Sequence, residues 1–224
     1  MKFAHPQINK VFSWKESTVP TLIIENQGLF RTFLQDVHLA IDGVHTKVVL
    51  SLENKVVDMT KHAELITDFI CFDINKKSLL SKICAALEHN ASSPEKFVET
   101  QQLLAYVENS INDWAFDLSC DISPSNVSVS SILKSVGIRI NDDYVGEIGA
   151  AEKIVDYMEL VREFDRDKLF VTVNMRSFFS DETISKFLAT VVSHDYKVLM
   201  LESCAYDLVK YEDRLIIDRD LCEI

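Results

Sequence analysis

Apolar residues recur along this chain in two patterns, as short uninterrupted runs and as stripes at helical spacing. The runs predict buried strands at residues 21–25, 138–140, 169–173, 197–201 and 214–217. The stripes predict amphipathic helices at residues 28–41, 149–164 and 180–193. Because strands alternate with helices in the second half of the chain, the pattern predicts an α/β fold with a largely parallel sheet covered on both faces.

Two segments of the first half depart from that alternation. Residues 46–59 read TKVVLSLENKVVDM, and the two β-rich stretches on either side of Glu53-Asn54 predict a hairpin. Residues 63–74, AELITDFICFDI, are so uniformly apolar that a helix and a strand fit them equally well.

The middle of the chain carries the longest helical stripes. Apolar residues at 79, 83 and 87 predict one helix, and a second is predicted at about 95–115, with Ser93 as its cap and Pro94 as its first residue. The stripe of this second helix is typical of a coiled-coil seam: Phe97, Leu104, Val107, Ile111 and Trp114. At 1.5 Å per residue it is about 30 Å long, so we expect the two helices to form a projecting pair. A short helix at 127–136 is predicted to end at Gly137.

Composition limits the classes of protein that remain. A hydrophobic fraction of 47% with 5 glycines and 4 prolines is typical of a folded, helix-rich or α/β protein. No apolar run reaches the roughly 18 residues that span a bilayer, and residues 1–12 lack the apolar stretch of a secretion signal, so we expect a cytoplasmic protein without a membrane partner. The five cysteines are scattered without a C-x-x-C pair, which favours reduced, mostly buried thiols over disulfides or a zinc site.

Charge is distributed unevenly along the chain. The formal net charge is -12, which at first argues against a polyanionic partner, because DNA binding draws its free energy from cations that displace counterions. Between Val44 and Lys82, however, six lysines stand against five acids, so this segment carries +1 and the remainder carries -13. The sequence therefore allows one basic surface on an acidic protein.

The motifs of common enzyme sites are missing from the sequence. A nucleotide hydrolase needs a glycine-rich turn and a Lys-Ser/Thr pair after its first strand, whereas TLIIENQGLFRTFL has one glycine, no lysine and the acid Glu25. G-x-G-x-x-G, G-x-S-x-G and H-E-x-x-H do not occur, and His194 beside Asp195 is interpreted as a helix-terminal histidine. We therefore expect no nucleotide cofactor.

A polar break follows the predicted strand at 169–173, where open α/β sheets tend to place ligands and catalytic groups. The polar residues near the strand end are Asn174, Arg176 and Ser177. Ser180 is predicted to cap the next helix, with acids at 181 and 182 in its first turn, where the helix dipole favours them. Because those acids oppose an anionic ligand, the sequence favours a capping role here.

An oxygen-rich loop at 113–126 is the best candidate site for a hard cation such as Ca²⁺. The ligand spacing and the position of glycine differ from those of an EF-hand, and a solvated turn explains the same residues.

Four stretches of the chain together resemble one known family. They are TDFICFDIN followed by SLLSKICAALE (67–75 and 78–88), SSILKSVGIRI (130–140), KLFVTVNMRSFFSDETI (168–184) and KVLMLESCAYDL (197–208). The matching positions are Thr67, Asp68, Asp73, Asn75, Lys134, Gly137, Arg139, Val173, Asn174, Glu182, Leu201 and Glu202. In this order and spacing they resemble the ring-forming CRISPR-associated protein of type II-A systems, the Csn-two family, which assists the acquisition of new spacers.

The resemblance implies a protomer in two parts. An α/β head that resembles a P-loop core without its phosphate loop would span residues 1–75 and 127–224, with a helical extension inserted at 76–126. Family members form a homotetrameric ring that binds double-stranded DNA ends without sequence preference in a lysine-lined hole, and Ca²⁺ stabilises the ring. They work with the integrase pair and the effector nuclease of the same locus, and they have no established enzymatic activity.

Applied to this chain, the resemblance implies two sets of site residues. A DNA-binding strip is expected from five lysines, although a solvated surface role explains each single one equally well: Lys47, Lys55, Lys61, Lys76 and Lys77. The family's counterpart of residues 117–126 is densely acidic, whereas Asp117 and Asp121 are the acids that remain here. Fewer carboxylates weaken a calcium site, so we expect Ca²⁺ to bind weakly or not at all.

Two other classes of function stay open. One is a P-loop-derived nucleotide-dependent enzyme, or a nuclease that uses Asp68, Asp73 and Asp117 around a metal. The other is an oligomeric scaffold that makes no contact with DNA.

Overall fold

The computed structural model describes residues 1–14, 17–120 and 122–224. Within these ranges the strands are β1 Lys2–Ala4, β2 Phe12–Ser13, β3 Val19–Ile24, β4 Val49–Leu52, β5 Lys55–Val57, β6 Ala63–Ile66, β7 Leu169–Val173, β8 Lys197–Glu202 and β9 Glu212–Ile217. The α-helices are α1 Gln27–Ile41, α2 Met59–His62, α3 Lys77–Ala91, α4 Phe97–Ala115, α5 Val129–Val136, α6 Gly146–Phe164 and α7 Asp181–Ser193. A short 3-10 turn, Met175–Ser177, follows β7.

A five-stranded sheet, in the order β6-β7-β8-β3-β9, forms the centre of the fold. All four strand pairs are parallel. Each residue of β3 and β7 is buried, because both faces of the sheet are covered. Strands buried on both faces need mostly apolar side chains, so β3 and β7 appear in the sequence as nearly continuous apolar runs. The predicted α/β fold with a mostly parallel sheet is confirmed.

The two faces of this sheet pack against different layers. Leu169, Val171 and Val173 of β7 belong to a core cluster that also contains Phe33 of α1 and Phe3 of β1. Successive side chains of a strand point to opposite faces, and Phe170 accordingly packs edge-on against Tyr157 of α6, with ring centroids 6.5 Å apart. Helix α6 therefore lies on the face opposite α1, and α7 packs beside α6 against β3.

A second, antiparallel sheet has the strand order β2-β1-β4-β5. Strands β4 and β5 form the predicted hairpin, in which Leu52 pairs with Lys55 across a two-residue turn. Glu53 and Asn54 both have positive φ, 48° and 64°, as a turn that matches the twist of a hairpin requires. Strands β1 and β2, of three and two residues, were not predicted from the sequence.

The chain divides into two compact units. We call residues 1–74 with 142–224 the head unit and residues 75–141 the helical unit. The helical unit contains α3, α4 and α5, so α5 groups with these helices, whereas the sequence assigned it to the head. Leu79 is the one buried apolar residue in the described part of the helical unit.

Three local predictions were wrong. Residues 138–140 form no strand, because the backbone of Ile140 is paired by the side chain of Asn75. Helix α4 begins at Phe97 after a turn in which the Ser93 carbonyl accepts two backbone N–H groups, so Ser93 and Pro94 do not start the helix. The thiols are free but not buried. Cys84 is half-buried, and the other four lie exposed in connections or near the C-terminus: Cys71, Cys120, Cys204 and Cys222.

Other features of the helix ends agree with the sequence. Ser180 caps α7 by accepting the Thr183 N–H, and His194 ends that helix. Gly137 ends α5 with φ of 73°, a left-handed conformation that glycine adopts without strain. Across the described ranges, no helix has the length and apolar character needed to cross a membrane.

Candidate nucleic-acid interface

Three of the five predicted DNA-binding lysines lie in and around the β4–β5 hairpin of the head unit. Lys55 begins β5 beside the turn, Lys47 lies two residues before β4, and Lys61 lies in α2, which follows β5. All three residues are exposed. Strand β5 is at the edge of its sheet, so Lys55 occupies a border of the head unit within the described chain.

The charge around Lys61 is mixed. The carboxylate of Asp58 caps α2 by accepting the Thr60 N–H at 3.0 Å. This hydrogen bond, with smaller contributions from the charges of Lys61 and His62, lowers the pKa of Asp58. Asp58 therefore stays ionised and competes with any external anion for Lys61.

The other two predicted lysines lie at the start of α3 in the helical unit. Lys76 is the N-cap residue and Lys77 the first residue of the helix, which has neither a side-chain cap nor an acid in its first turn. Backbone N–H groups at a helix start carry partial positive charge, which favours an anion there. This start of a helix therefore combines two ammonium groups with N–H donors suited to phosphate.

The predicted calcium ligands are only partly described. Asp117 lies in the exposed segment after α4, and Asp121 lies outside the described residues. An open cleft of about 550 Å³ in this region is lined by Asn112, Ala115, Phe116, Leu118, Ser119, Cys120 and Ile122. In the described ranges, no three His, Cys, Asp or Glu side chains come close enough together to hold a metal ion.

The connection from β3 to α1 is where the sequence was tested for a phosphate loop. Strand β3 ends at Ile24 and α1 begins at Gln27, so Glu25 and Asn26 alone join them. Asn26 caps the helix by accepting the Leu29 N–H at 3.0 Å. An open cleft of about 650 Å³ lies here, lined by Glu25, Asn26, Gln27, Gly28, Ser203, Cys204 and Arg219. A two-residue connection leaves no loop that can wrap a phosphate group.

The acids considered for a nuclease have local contacts of their own. The carboxylate of Asp68 accepts the backbone N–H groups of Ile70 at 3.0 Å and Cys71 at 2.8 Å, and so fixes the turn after β6. Asp73 lies near Tyr157, whose hydroxyl group donates to Glu64 at 2.6 Å. Burial, then the nearby carboxylates of Glu64 and Asp73, raise the pKa of Tyr157. Asp117 belongs to the helical unit.

Four largely buried charged side chains lie on the α6/α7 face of the sheet, and we call them the ionic cluster: Arg176, Glu202, Glu212 and Arg214. Glu212 accepts from Arg176 Nη1 at 3.4 Å and from Arg214 Nη2 at 2.7 Å. Arg176 also forms an ion pair with Asp181, which is exposed. Glu202 Oε1 accepts the backbone N–H of Arg176 at 3.2 Å.

Comparison with known proteins identifies the family. A model of the family described as CRISPR-associated protein (Cas_Csn2) matches residues 41–221, which is most of the chain. The chain belongs to this family. The resemblance seen in the sequence is confirmed.

A solved structure supports the fold. The chain is similar to the crystal structure of Stu0660 of Streptococcus thermophilus, with a TM-score of 0.53 and 13% sequence identity, over 90% of this chain and 68% of that chain. At this identity the similarity shows the shared fold alone.

Several residues that carried the resemblance have clear structural roles. Asn174 has a φ of 54°, a region that asparagine tolerates, and its Oδ1 accepts the Ser203 N–H at 2.8 Å. The end of β7 is thereby joined to the end of β8. Asn75 pairs with Ile140, and Glu202 is buried in the ionic cluster. Several residues that match the family pattern therefore fix the backbone at the ends of strands and helices.

Sequence reasoning named Arg176 and Glu202 but did not bring them together. Each follows an apolar run at the carboxyl end of a parallel strand, and that shared position was the available signal. Glu212 and Arg214 were missed, because nothing in the sequence of β9 indicates that its first residues face a buried arginine.

Proposed function

We propose that this chain binds double-stranded DNA without sequence preference, as a homotetrameric ring that acts in CRISPR spacer acquisition with the integrase pair and the effector nuclease of its locus. The family match over residues 41–221 is the observation that carries this proposal. It fixes the association with CRISPR systems, and the exposed lysines supply the chemistry for binding phosphate.

The net charge of -12 is compatible with DNA binding if the protein forms a ring. Four copies bring four locally basic segments around one duplex, while acidic surfaces elsewhere face solvent. Lys47, Lys55 and Lys61 would contribute from the head unit. Lys76 and Lys77 would contribute from the start of α3, where backbone N–H groups also favour a phosphate.

We further propose that the protein has no enzymatic activity of its own and needs no nucleotide. The two-residue β3–α1 connection and the acid Glu25 both disfavour a phosphate at that position. The alternative, a nucleotide-dependent enzyme or a metal-dependent nuclease, has no comparable support from the described side chains.

The lysine strip is tested by replacing Lys47, Lys55, Lys61, Lys76 and Lys77 with alanine. We expect affinity for a linear duplex to fall at least about tenfold near 150 mM salt, and the slope of log K against log salt to shrink by about 0.9 for each lost phosphate contact. Fluorescence anisotropy of a labelled duplex over a salt series measures both quantities.

A variant with five other exposed cationic residues replaced by alanine controls for net charge: Lys96, Lys134, Arg166, Lys186 and Lys210. It should keep most of the affinity. The proposed DNA-binding strip would be contradicted by unchanged affinity and salt slope in the first variant, or by an equal loss of affinity in the two variants. Separate variants of the hairpin set and the α3 pair then show which unit contributes more.

The assembly is tested by size-exclusion chromatography with light scattering, repeated with linear and with circular duplex. A tetramer that retains linear DNA, with neither ATP turnover nor DNA cleavage, supports the proposal. A monomer indifferent to duplex contradicts it, ATP turnover or cutting supports the enzyme alternative, and a tetramer without DNA affinity supports a scaffold.

We propose that Ca²⁺ binds this chain more weakly than it binds a densely acidic counterpart loop, with Asp117 and Asp121 as its best ligands. Ligand number and charge set calcium affinity, so calorimetric titration should give a dissociation constant no tighter than about 10⁻⁴ M. Tight binding that Asp121→Ala abolishes would overturn this expectation.

A further inference from the structure

Glu202 is a buried acid that forms no ion pair of its own among the described residues. It ends β8 and is 1% exposed. Its Oε1 accepts the backbone N–H of Arg176 at 3.2 Å, and its Oε2 is buried without a hydrogen-bond partner in the described chain. An ionised carboxylate is costly to bury in this way, whereas a protonated carboxyl is much less so.

The neighbouring charges already balance without Glu202. Arg176 and Arg214 supply two positive charges, and Glu212 and Asp181 supply two negative charges in direct ion pairs with them. An ionised Glu202 would add a third acid to this balanced set, and Glu212 would repel it.

Three elements bring titratable groups to face Glu202. They are Arg176 from the turn after β7, Glu212 from β9 and Tyr206 from the connection between β8 and β9. The pKa of Glu202 is raised from 4.5 to about 7, mainly by burial and less by the Glu212 charge, against the opposing effects of the Arg176 N–H and charge and of the Met175 N–H.

The ionic cluster also holds the connection from β8 to β9, residues 203–211. Arg214 donates to the carbonyls of Tyr206 at 2.7 Å and Asp207 at 2.6 Å. Arg176 Nη1 donates to the same Asp207 carbonyl at 2.8 Å, and its guanidinium lies 5.0 Å from the centre of the Tyr206 ring. The two arginines therefore fix the middle of the connection.

The two ends of the connection are fixed as well. The Ser203 N–H donates to Asn174 at 2.8 Å, and the Val209 N–H donates to Glu212 Oε2 at 3.3 Å. Ser203, beside Glu202, also lines the cleft at the end of β3. Any movement of the connection therefore changes one wall of that cleft.

We propose that Glu202 is the neutral, proton-carrying member of the ionic cluster, and that its ionisation loosens the β8–β9 connection. When the carboxyl group loses its proton to solvent, the new carboxylate attracts the Arg176 guanidinium and needs water. Both effects compete with the hydrogen bonds that Arg176 makes to Asp207 and Glu212. The connection is then a pH-sensitive latch on the head unit, held in place (latched) while Glu202 is protonated and loosened (opened) when Glu202 ionises.

The direction of the pH effect follows from linkage. In the latched form the pKa of Glu202 is about 7, and in an opened form that exposes the side chain it returns towards 4.5. Between these two pH values the opened form therefore binds fewer protons than the latched form. The equilibrium constant for opening then rises by up to about tenfold for each pH unit. Above about pH 7 Glu202 is ionised in both forms, so the equilibrium constant for opening no longer rises with pH.

Hydrogen exchange of the Ser203 and Val209 amides at pH 5 to 8, corrected for intrinsic exchange rates, tests the latch. We expect protection of both amides in the native protein to fall at least about tenfold between pH 5 and 7. Glu202→Gln, which resembles the protonated acid and cannot ionise, should give protection that is constant with pH. Glu163→Gln, on the exposed surface of α6, should behave like the native protein.

The same pH dependence in Glu202→Gln as in the native protein would overturn the proposal, and so would protection in the native protein that does not change with pH. If Glu202→Gln does not fold, the ¹³C shift of the Glu202 carboxyl in the native protein decides. A titration midpoint near the ordinary 4.5 contradicts the proposal, and one near 7 supports it.

Discussion

In the head unit, both faces of the parallel sheet are covered, and Leu22, Ile24 and Phe33 are completely buried. In the helical unit, Leu79 is the single buried apolar side chain among the described residues. Helix α4, with nineteen residues, buries none of them. The two units thus show that similar helical periodicity in a sequence accompanies very different amounts of burial in the folded chain.

The apolar stripe of α4 illustrates the difference. Leu104, Val107 and Ile111 are half-buried, whereas Phe97 and Trp114 at its ends are 52% and 78% exposed. Helices gain most of their stability from packing of an apolar face, so this stripe gains from a partner surface. In the ring that we propose, other copies of the chain would supply that surface.

The largest expected effect comes from the core of the head unit. Phe33→Ala removes a ring packed against Phe3 and His5, with centroids 6.3 Å and 4.2 Å away, and should lower the free energy of unfolding by about 3–5 kcal/mol. Trp114→Ala, on the exposed stripe, should change it by no more than about 0.5 kcal/mol at protein concentrations where the chain is monomeric. Urea denaturation followed by circular dichroism measures both, and equal effects would remove the contrast between the units.

A smaller effect is expected where the helical unit depends on polar contacts. The Asn75 amide donates to the Ile140 carbonyl at 3.1 Å and accepts the Ile140 N–H at 2.7 Å. Asn75→Ala loses both bonds and should destabilise the helical unit by about 1–3 kcal/mol, while Asn75→Asp, which keeps the acceptor, should lose less.

Hydrogen exchange at the Ile140 amide reports this change directly, since that N–H loses its acceptor in the alanine variant. Asn112→Ala, on the exposed surface of α4, is the control and should leave exchange at Ile140 as it is in the native protein. If Asn75→Ala behaves in the same way as this control, the bridge does not stabilise the helical unit.

Burial explains how much of the fold was predictable. Strand β7 was predicted at its observed bounds, 169–173, because a strand covered on both faces is largely apolar along its length. Strands β1 and β2 have three and two residues and are separated by a polar segment, so neither run has enough residues to show a period. Residues 138–140 resemble a strand, but their partner is a side chain, which periodicity does not reveal.

The site residues were predictable by type and not by arrangement. Exposure of Lys47, Lys55 and Lys61 agrees with their polarity. The hairpin beside Lys55 was predicted from its two β-rich stretches, whereas the four-residue helix that holds Lys61 is too short to show a period. The ionic cluster shows the same limit more strongly. Glu212 lies ten residues after Glu202 along the chain, and the two strands are separated by β3 in the sheet. The side-chain contacts that join them through Arg176 depend on the whole sheet order.

The Asn75–Ile140 bridge also bears on how this chain is built as a set of modules. Because Ile140 N lies 2.7 Å from the Asn75 side chain, the helical unit begins and ends at nearly the same point in space. The entropy lost in closing a loop grows only slowly with its length, so an insertion whose ends already meet can be lengthened, shortened or exchanged at little cost to the fold that carries it. We therefore expect residues 76–139 to tolerate a change in length, or replacement by a substitute segment, at little cost to the fold of the head unit.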